Sequence, residues 1–360
     1  MRSAKPVQFA GTSGVTVVVP CYNYGHFLAD VVHSALSQER VSTRVIIVDD
    51  ASPDGSAEVA RMLAAADPRI TVVCHEVNQG HIATYNDGLA RVETEFVALV
   101  SADDLLAPGA LGRATDLMKA HPGVGMVYGM PVEFNDDEGV PDIPAPGRRG
   151  SWTVWPGGEW LRWACWRGRC FILSPEVVMR TDAMRQVGPY NAELPHSGDL
   201  EYWVRTAARW DVGRINGPAQ AYYRVHGHNM HLTSFDTMQV DLKHRLDAFN
   251  VLATAELAAE LPAAARLHRM ARHGVSRESL LLAERNLDAG GAVSVSLSLM
   301  DVATLARPSA ESTLRGRALR YRLVRAGRRA APTGFQGMIE AYRRQVDRVR
   351  WAAWRKVGIS

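Results

Sequence analysis

The stretch from Val15 to Asp50 reads VTVVVPCYNYGHFLADVVHSALSQERVSTRVIIVDD, and it sets the frame for the chain. Val15–Pro20 is a β-branched run closed by a proline, the pattern of a strand buried on both faces. Phe27–Gln38 follows with helical spacing, since Leu28, Val31, Val32 and Leu36 share one face. Arg44–Val48 is a second buried strand, ended by Asp49 and Asp50. Working outward, Ser56–Ala66 reads as helix, Ile70–Cys74 as strand and His81–Arg91 as helix. Phe96–Val100 is a further strand that runs into Asp103 and Asp104. Alternation at this pace predicts an α/β fold of βαβ units around a mostly parallel sheet.

The polar residues fall at one edge of that sheet. Pro20–Asn23, Asp49-Asp50 and Ser101–Asp104 each follow the C-terminal end of an apolar strand, where open α/β sheets hold their ligands. Asp103-Asp104 is a pair of hard oxygen donors suited to a divalent cation carrying a diphosphate. An isolated acidic pair after a strand is more often a turn or a helix cap.

Composition excludes several classes. The 360 residues are 47% hydrophobic and 22% charged, which fits a globular chain with a large core and not a disordered or collagen-like one. Cys21, Cys74, Cys165 and Cys170 form no C-x-x-C pair and read as reduced thiols of a cytoplasmic protein. Met1–Gly14 has no apolar core of a secretory signal, and no run of 18 apolar residues occurs, so none is expected to span a membrane. The net charge of +3 is uneven: Leu314–Ser360 holds 13 Lys/Arg against Glu340 and Asp347, or +11, leaving −8 for the rest. An acidic body repels polyanions, so nucleic acid is not an expected partner.

Beyond Pro131 the pattern is less regular. Asn135–Gly150 reads as loop, Phe171–Met179 as strand, Gly198–Trp210 as helix and Ala219–Val225 as strand. Ser151–Trp166 holds five of the nine tryptophans, and Trp160, Trp163 and Arg167 are helically spaced. After Thr237 the composition turns to Ala, Leu and Arg with helical spacing. The expected domains are 1–235, with a donor half at 15–130 and an acceptor half at 131–235, and a helical region at 236–360.

Several ordered motifs together carry a family resemblance: Val17–Asn23, Val48–Ser56, Asn78-Gln79-Gly80, Asn86–Leu89 and Ala98–Asp104. Val187–Tyr190, Ser197–Arg205 and Tyr223–His226 continue the series. The set resembles the family 2 glycosyltransferases over about 60% of the chain, Val15 to Met230. The resemblance implies a GT-A fold with a C-terminal α-helical extension, and inverting transfer of a sugar from a UDP- or dTDP-sugar. The acceptor would be a hydroxyl or amine of a small molecule or glycan precursor. Carried over by residue, Tyr22 stacks on the base and Asp50, with Asp49 the second choice, accepts its N–H. Pro20, Asn23, Asn78, Gly80, Asn86, Ala102 and Asp103 complete the nucleotide-sugar site. Asp103, Asp104 and His226 would hold Mn²⁺ or Mg²⁺, and Asp199 would be the catalytic base. On position alone, Asp199 is equally an acid favoured in the first turn of a helix, and Tyr22 a half-buried turn aromatic.

Three residues depart from the family pattern. Gly198 replaces the usual Glu beside the base, Ser101 the first Asp of the acidic motif, and Tyr85 an Arg before Asn86. Trp163, Trp166, Glu201 and Trp203 are candidates for the acceptor side. The tryptophan stripe reads equally as core, and Glu201 is the rival base. His228 and His231 match no metal motif and read as solvated or capping. The tail carries Ile339, Tyr342, Val346, Val349 and Ala353 as one apolar stripe among arginines. It would lie on an anionic membrane, pair with a second protomer, or cover its own domain. Two other classes share the sheet: a non-catalytic nucleotide-sugar or glycan-binding module, and a sugar-phosphate nucleotidylyltransferase. Pro20–Gly25 lacks the basic residues that the latter needs for a triphosphate.

Overall fold

The computed structural model describes residues 1–135, 139, 150–227, 237–326 and 344–349. Most of the 135–150 loop, His228, His231 and, of the tail stripe, Ile339, Tyr342 and Ala353 lie outside the described residues.

The chain opens with β1 (Arg2–Ala4) and β2 (Ser13–Cys21), followed by α1 (Leu28–Leu36), β3 (Val41–Asp49), α2 (Ser56–Ala66), β4 (Ile70–Cys74), α3 (His81–Ala90) and β5 (Phe96–Leu99). Then come β6 (Leu105–Leu106), α4 (Ala110–Ala120), β7 (Val124–Tyr128), β8 (Pro131–Asn135), β9 (Ser151–Trp155) and α5 (Gly157–Arg167). The sheet unit closes with β10 (Val178–Arg180), α6 (Thr181–Val187), α7 (Gly198–Arg209), β11 (Asp211–Asn216) and β12 (Ala221–Val225). Among the described residues, nine strands make one sheet in the order β1-β9-β11-β7-β10-β5-β2-β3-β4, and β6-β12-β8 make a second, smaller one.

The valines of β2 decide the centre of the large sheet. Val15, Val17, Val18 and Val19 are fully buried, as strands covered on both faces require. Val17 pairs in parallel with Val45 on β3 and with Ala98 on β5. The chain winds outward from β2 through β3 to β4, then returns to β5 on the other side of β2. That reversal is a topological switch point, and it opens a crevice at the strand ends that carry Pro20–Asn23 and Ser101–Asp104. Helix α3 lies directly on this centre because Gly88 has no side chain: a Cβ there would stand 2.4 Å from Val18 Cγ1.

Phe171–Met179 is mostly not strand. Leu173 leads into a 3₁₀ turn at Ser174–Glu176, and only Val178–Arg180 pairs, antiparallel to both β5 and β7. The turn forms because Pro175 is tolerated in the first turn of a helix, where its missing N–H has no intrahelical partner to lose, and the Glu176 carboxylate takes the Leu173 and Gly129 N–H groups at 3.0 and 3.2 Å.

The described residues form two compact units. One takes Met1–Trp160 and the chain from Ile172 through β12. The other joins Leu161–Phe171 to the later helices α8 (Met238–Phe249), α9 (Ala255–Glu260), α10 (Ala264–Asp288), α11 (Val293–Ala306) and α12 (Leu314–Ala326). The acceptor half as read from the sequence had included Leu161–Phe171. Small residues let α10 and α11 pack closely: Ser276 and Ser279 donate to Ala303 and Leu299 carbonyls, and Ser296 to that of Ala283. Among the described residues no helix is long and apolar enough to cross a membrane.

Candidate active site

Two loops at the ends of β2 and β3 meet first. Asn23 (φ +62°) and Ala51 (φ +57°) are both left-handed, a conformation costly for alanine and commonest at functional loops. The Asn23 N–H donates to Ser52 Oγ at 3.0 Å, and the Ser52 N–H donates to Asp49 Oδ2 at 3.1 Å. Tyr22 stands out from this corner, 45% exposed. Asp49 is buried, and its Oδ1 has no hydrogen-bond partner.

Asp50 is occupied differently from the role the resemblance implies. Its Oδ1 accepts the Gln79 N–H at 2.8 Å and faces His75 Nδ1 at 2.7 Å, and its Oδ2 accepts the Gly80 N–H at 2.8 Å. Burial pushes its carboxyl up, but these bonds outweigh burial and hold it below the usual range. His75 bridges on to Asp87, 3.3 Å from Nε2. Asn78 Oδ1 accepts from the Gly80 N–H at 3.1 Å, so the loop is tied within itself and to Asp50. Asn86 is likewise committed: its Nδ2 donates to the Tyr190 carbonyl at 2.9 Å and its Oδ1 accepts the Tyr190 N–H at 2.8 Å. It locks α3 to the segment before α7.

At the end of β5, Asp103 Oδ2 lies 3.1 Å from His226 Nε2. The neighbouring Ala102 is buried in the turn closed by the Asp104 N–H and the Ser101 carbonyl. Pro20 pairs with Val48 across the sheet one residue before the loop begins. Arg224 builds this corner from beneath. Its N–H donates to Asp104 Oδ1 at 3.0 Å and its Nε to the Asp103 carbonyl at 2.8 Å, while its guanidinium lies over Phe27 and Phe134. Burial, then the Asp103 charge, raises the Asp104 carboxyl well above its usual range. Tyr24 packs edge-on against His226, and burial with the two aspartate charges pushes its phenol up to about 12.

The expected three-ligand set does not converge. Among the described residues, no three His, Cys, Asp or Glu side chains form a metal-ligating cluster. Asp104 accepts from the Arg224 backbone, which leaves Asp103 and His226 as the pair that meets. Their separation fits a hard cation: adjacent ligands of an octahedral ion at ~2.1 Å stand ~3 Å apart.

Asp199 lies in the first turn of α7, where the helix dipole favours an anion. The Ser174 hydroxyl donates to its Oδ2, and its Oδ1 is buried without a partner. Burial raises the carboxyl above its usual range, and Ser174, the Tyr190 phenol and the His81 charge pull it part of the way back. At Tyr85, which replaces the Arg of the family pattern, burial first, then the charges of Asp199, Asp103 and Asp104, raise the phenol. Gly198 packs against Ile82 and Tyr190, and a Cβ there would meet them at 3.3 and 3.4 Å.

The candidates for the acceptor side belong to two different units. Glu201 is buried in a bidentate pair with Arg205, at 2.6 and 2.8 Å, and is committed to structure. Arg205 also donates to the Val187 and Pro189 carbonyls. Trp203 is buried beside Tyr202 at a small apolar cavity. Trp163 and Trp166 belong to the helical unit, packed edge to face, with the Arg167 and Arg277 guanidiniums 4.8 and 4.9 Å from the Trp166 ring. Sequence reasoning missed His75 and Ser174, which stand in no motif. It passed over Tyr24, which a motif-adjacent aromatic could have signalled.

Residues 16–167 match the model of Glycosyl transferase family 2. The uncharacterized glycosyltransferase alr2836 of Nostoc sp. is 25% identical over 228 residues, 61% of this chain and 67% of that protein. The putative teichuronic acid biosynthesis glycosyltransferase TuaG of Bacillus subtilis is 35% identical over 104 residues, 29% of this chain and 41% of its own length. Among solved structures, S. aureus TarS 1-349 in complex with UDP-GlcNAc aligns with a TM-score of 0.63 at 16% identity, covering 92% of each chain. The fold is GT-A.

Proposed function

Because this chain is a glycosyltransferase and belongs to family 2, we propose that it moves a sugar from a UDP- or dTDP-sugar to an acceptor hydroxyl, with inversion at the anomeric carbon. The observation that carries the reading is Asp199: a carboxylate raised by burial, held by Ser174 through one oxygen and unpartnered at the other. A raised carboxylate is a stronger base, and an unpartnered buried oxygen is completed by a donor such as the acceptor O–H.

In this reading Tyr22 offers its exposed ring to the nucleobase. Asp49 Oδ1 is the oxygen left for an imide N–H, since both Asp50 oxygens are already accepting. Asp103 and His226 would hold a Mn²⁺ or Mg²⁺ ion. A divalent ion there supplies charge neutralisation for the departing nucleoside diphosphate. Asp199 takes the acceptor proton as the oxygen attacks from the face opposite the leaving group, so a single displacement inverts the centre. The acceptor is a small molecule or a glycan precursor.

The test is nucleotide release from a panel of UDP- and dTDP-sugars by the full chain and by Asp199→Asn. Release that needs Asp199, with donor affinity retained in the variant, supports the assignment. Release undiminished in the variant overturns it.

A further inference from the structure

We infer that Ser174 is the positioning residue for the base, fixing the Asp199 carboxylate so that Oδ2 is held by the protein and Oδ1 is reserved for the acceptor. The inference rests on the assignment of Asp199 as base and adds to it a residue that no family motif includes.

The geometry is built for rigidity. Ser174 opens a 3₁₀ turn, and the Val177 N–H closes that turn onto the Ser174 carbonyl at 3.1 Å. At the end of the same turn, the buried Glu176 carboxylate clamps the Leu173 N–H and the Gly129 N–H at the end of β7. Ser174 is therefore tied to the sheet through its neighbours on both sides. Its hydroxyl has a single proton to give, and gives it to Asp199 Oδ2. A free aspartate rotates about its last bond and exchanges its two oxygens, and a fixed donor on one of them removes that freedom. The groups facing Asp199 are Ser174 from the turn, Tyr190 from the segment before α7, and His81 and Tyr85 from α3. His81 is itself held by the Pro195 carbonyl at 2.8 Å from its Nε2. Ser174 donates directly to Oδ2, the Tyr190 phenol is the second hydrogen-bonding group facing the carboxylate, and Oδ1 is left without a partner.

Two measurements on Ser174→Ala separate positioning from mere packing. The first follows the ¹³Cγ signal of Asp199 in ¹³C-aspartate-labelled full chain, identified by its disappearance in Asp199→Asn. Loss of a bond to the ionised form must move its titration to higher pH. The second measures nucleotide release from UDP- and dTDP-sugars across pH, with donor affinity measured separately. The expected result is kcat lower by ~10²-fold, the scale of a misplaced catalytic group, an acid limb moved upward and an unchanged donor Kd. Ser174→Cys, nearly isosteric with a weaker donor, must move the titration the same way and stands in if the alanine variant does not fold. An Asp199 signal that titrates alike with and without the Ser174 hydroxyl overturns the inference. Nucleotide release that survives in Asp199→Asn removes the base assignment instead, and the titration still reports whether the contact exists.

Discussion

Asp103 and His226 stand 123 residues apart in sequence and meet with Oδ2 and Nε2 3.1 Å apart. Arg224 makes the meeting possible: it is pinned to the Asp103 carbonyl and the Asp104 carboxylate, and it delivers His226 two residues later. If the pair is the protein's hold on a divalent ion, Asp103→Ala and His226→Ala each weaken binding of UDP in the presence of Mn²⁺ and leave binding in EDTA unchanged. Calorimetric titration under both conditions checks this. Equal loss in both would mean that the pair contacts the nucleotide directly.

Asp199→Asn lowers kcat by ~10²–10⁴-fold, the usual range for general base help. The pH dependence follows from the raised carboxyl. The base is active when deprotonated, so wild-type turnover falls as pH drops through a value above the ordinary ~3.9 of aspartate. The sign for stability is opposite. A carboxyl raised on folding adds stability below its unfolded pKa and loses it as pH rises through the folded value, so ionised Asp199 costs stability at neutral pH. Asp199→Asn therefore melts higher than wild type at pH 7, which a thermal scan reads directly.

Asp50→Asn tests a structural role. Three donors converge on this carboxylate, and an amide presents an NH₂ to at least one of them. Loss of a charge-assisted bond with a donor left unsatisfied costs ~2–4 kcal/mol, read by denaturant unfolding. Because folding lowers the Asp50 carboxyl, its contribution is present above the unfolded value near 3.9 and fades as pH falls through the folded one. The variant and wild type should therefore converge in stability toward acid.

Glu201→Gln should harm folding and spare chemistry. The Glu201–Arg205 pair is buried, and removing one partner leaves the other charge uncompensated, at a cost of ~3–5 kcal/mol. Donor affinity and kcat of the folded fraction stay at the wild-type level. A variant of full stability with lost turnover would return Glu201 to the list of bases.

The parts of the fold that were legible in sequence share one physical cause. β2, β3 and β5 are buried on both faces, so they appear as unbroken apolar runs, and the helices between them keep one apolar stripe. The insertion of β10 between β5 and β7 was not legible, because antiparallel pairing across 80 residues, Val178 with Ala98, leaves no local signal. Phe171–Leu173 imitates a strand, and only the buried Glu176 behind Pro175 shows why the chain turns there.

The site divides the same way. Asp103, His226 and Asp199 stood in motifs and are found at the crevice or beside it. Ser174 is a serine 25 residues from its partner, with no pattern to mark it. Glu201 and Asn86 are a different case. Arg205 at i+4 already offered Glu201 a partner, whereas the Tyr190 backbone that occupies Asn86 is 104 residues away and visible only after folding.

The most direct measurement is the melting temperature of the full chain with UDP, dTDP, GDP and ADP, each with Mn²⁺, Mg²⁺ or EDTA. A ligand at ~100 times its Kd adds ~2.7 kcal/mol to folding, which is readily seen. A nucleotide site of this kind gives a rise with UDP or dTDP that requires the metal and disappears in EDTA and in Asp103→Ala. No rise with any nucleotide, or a rise indifferent to EDTA, would contradict it.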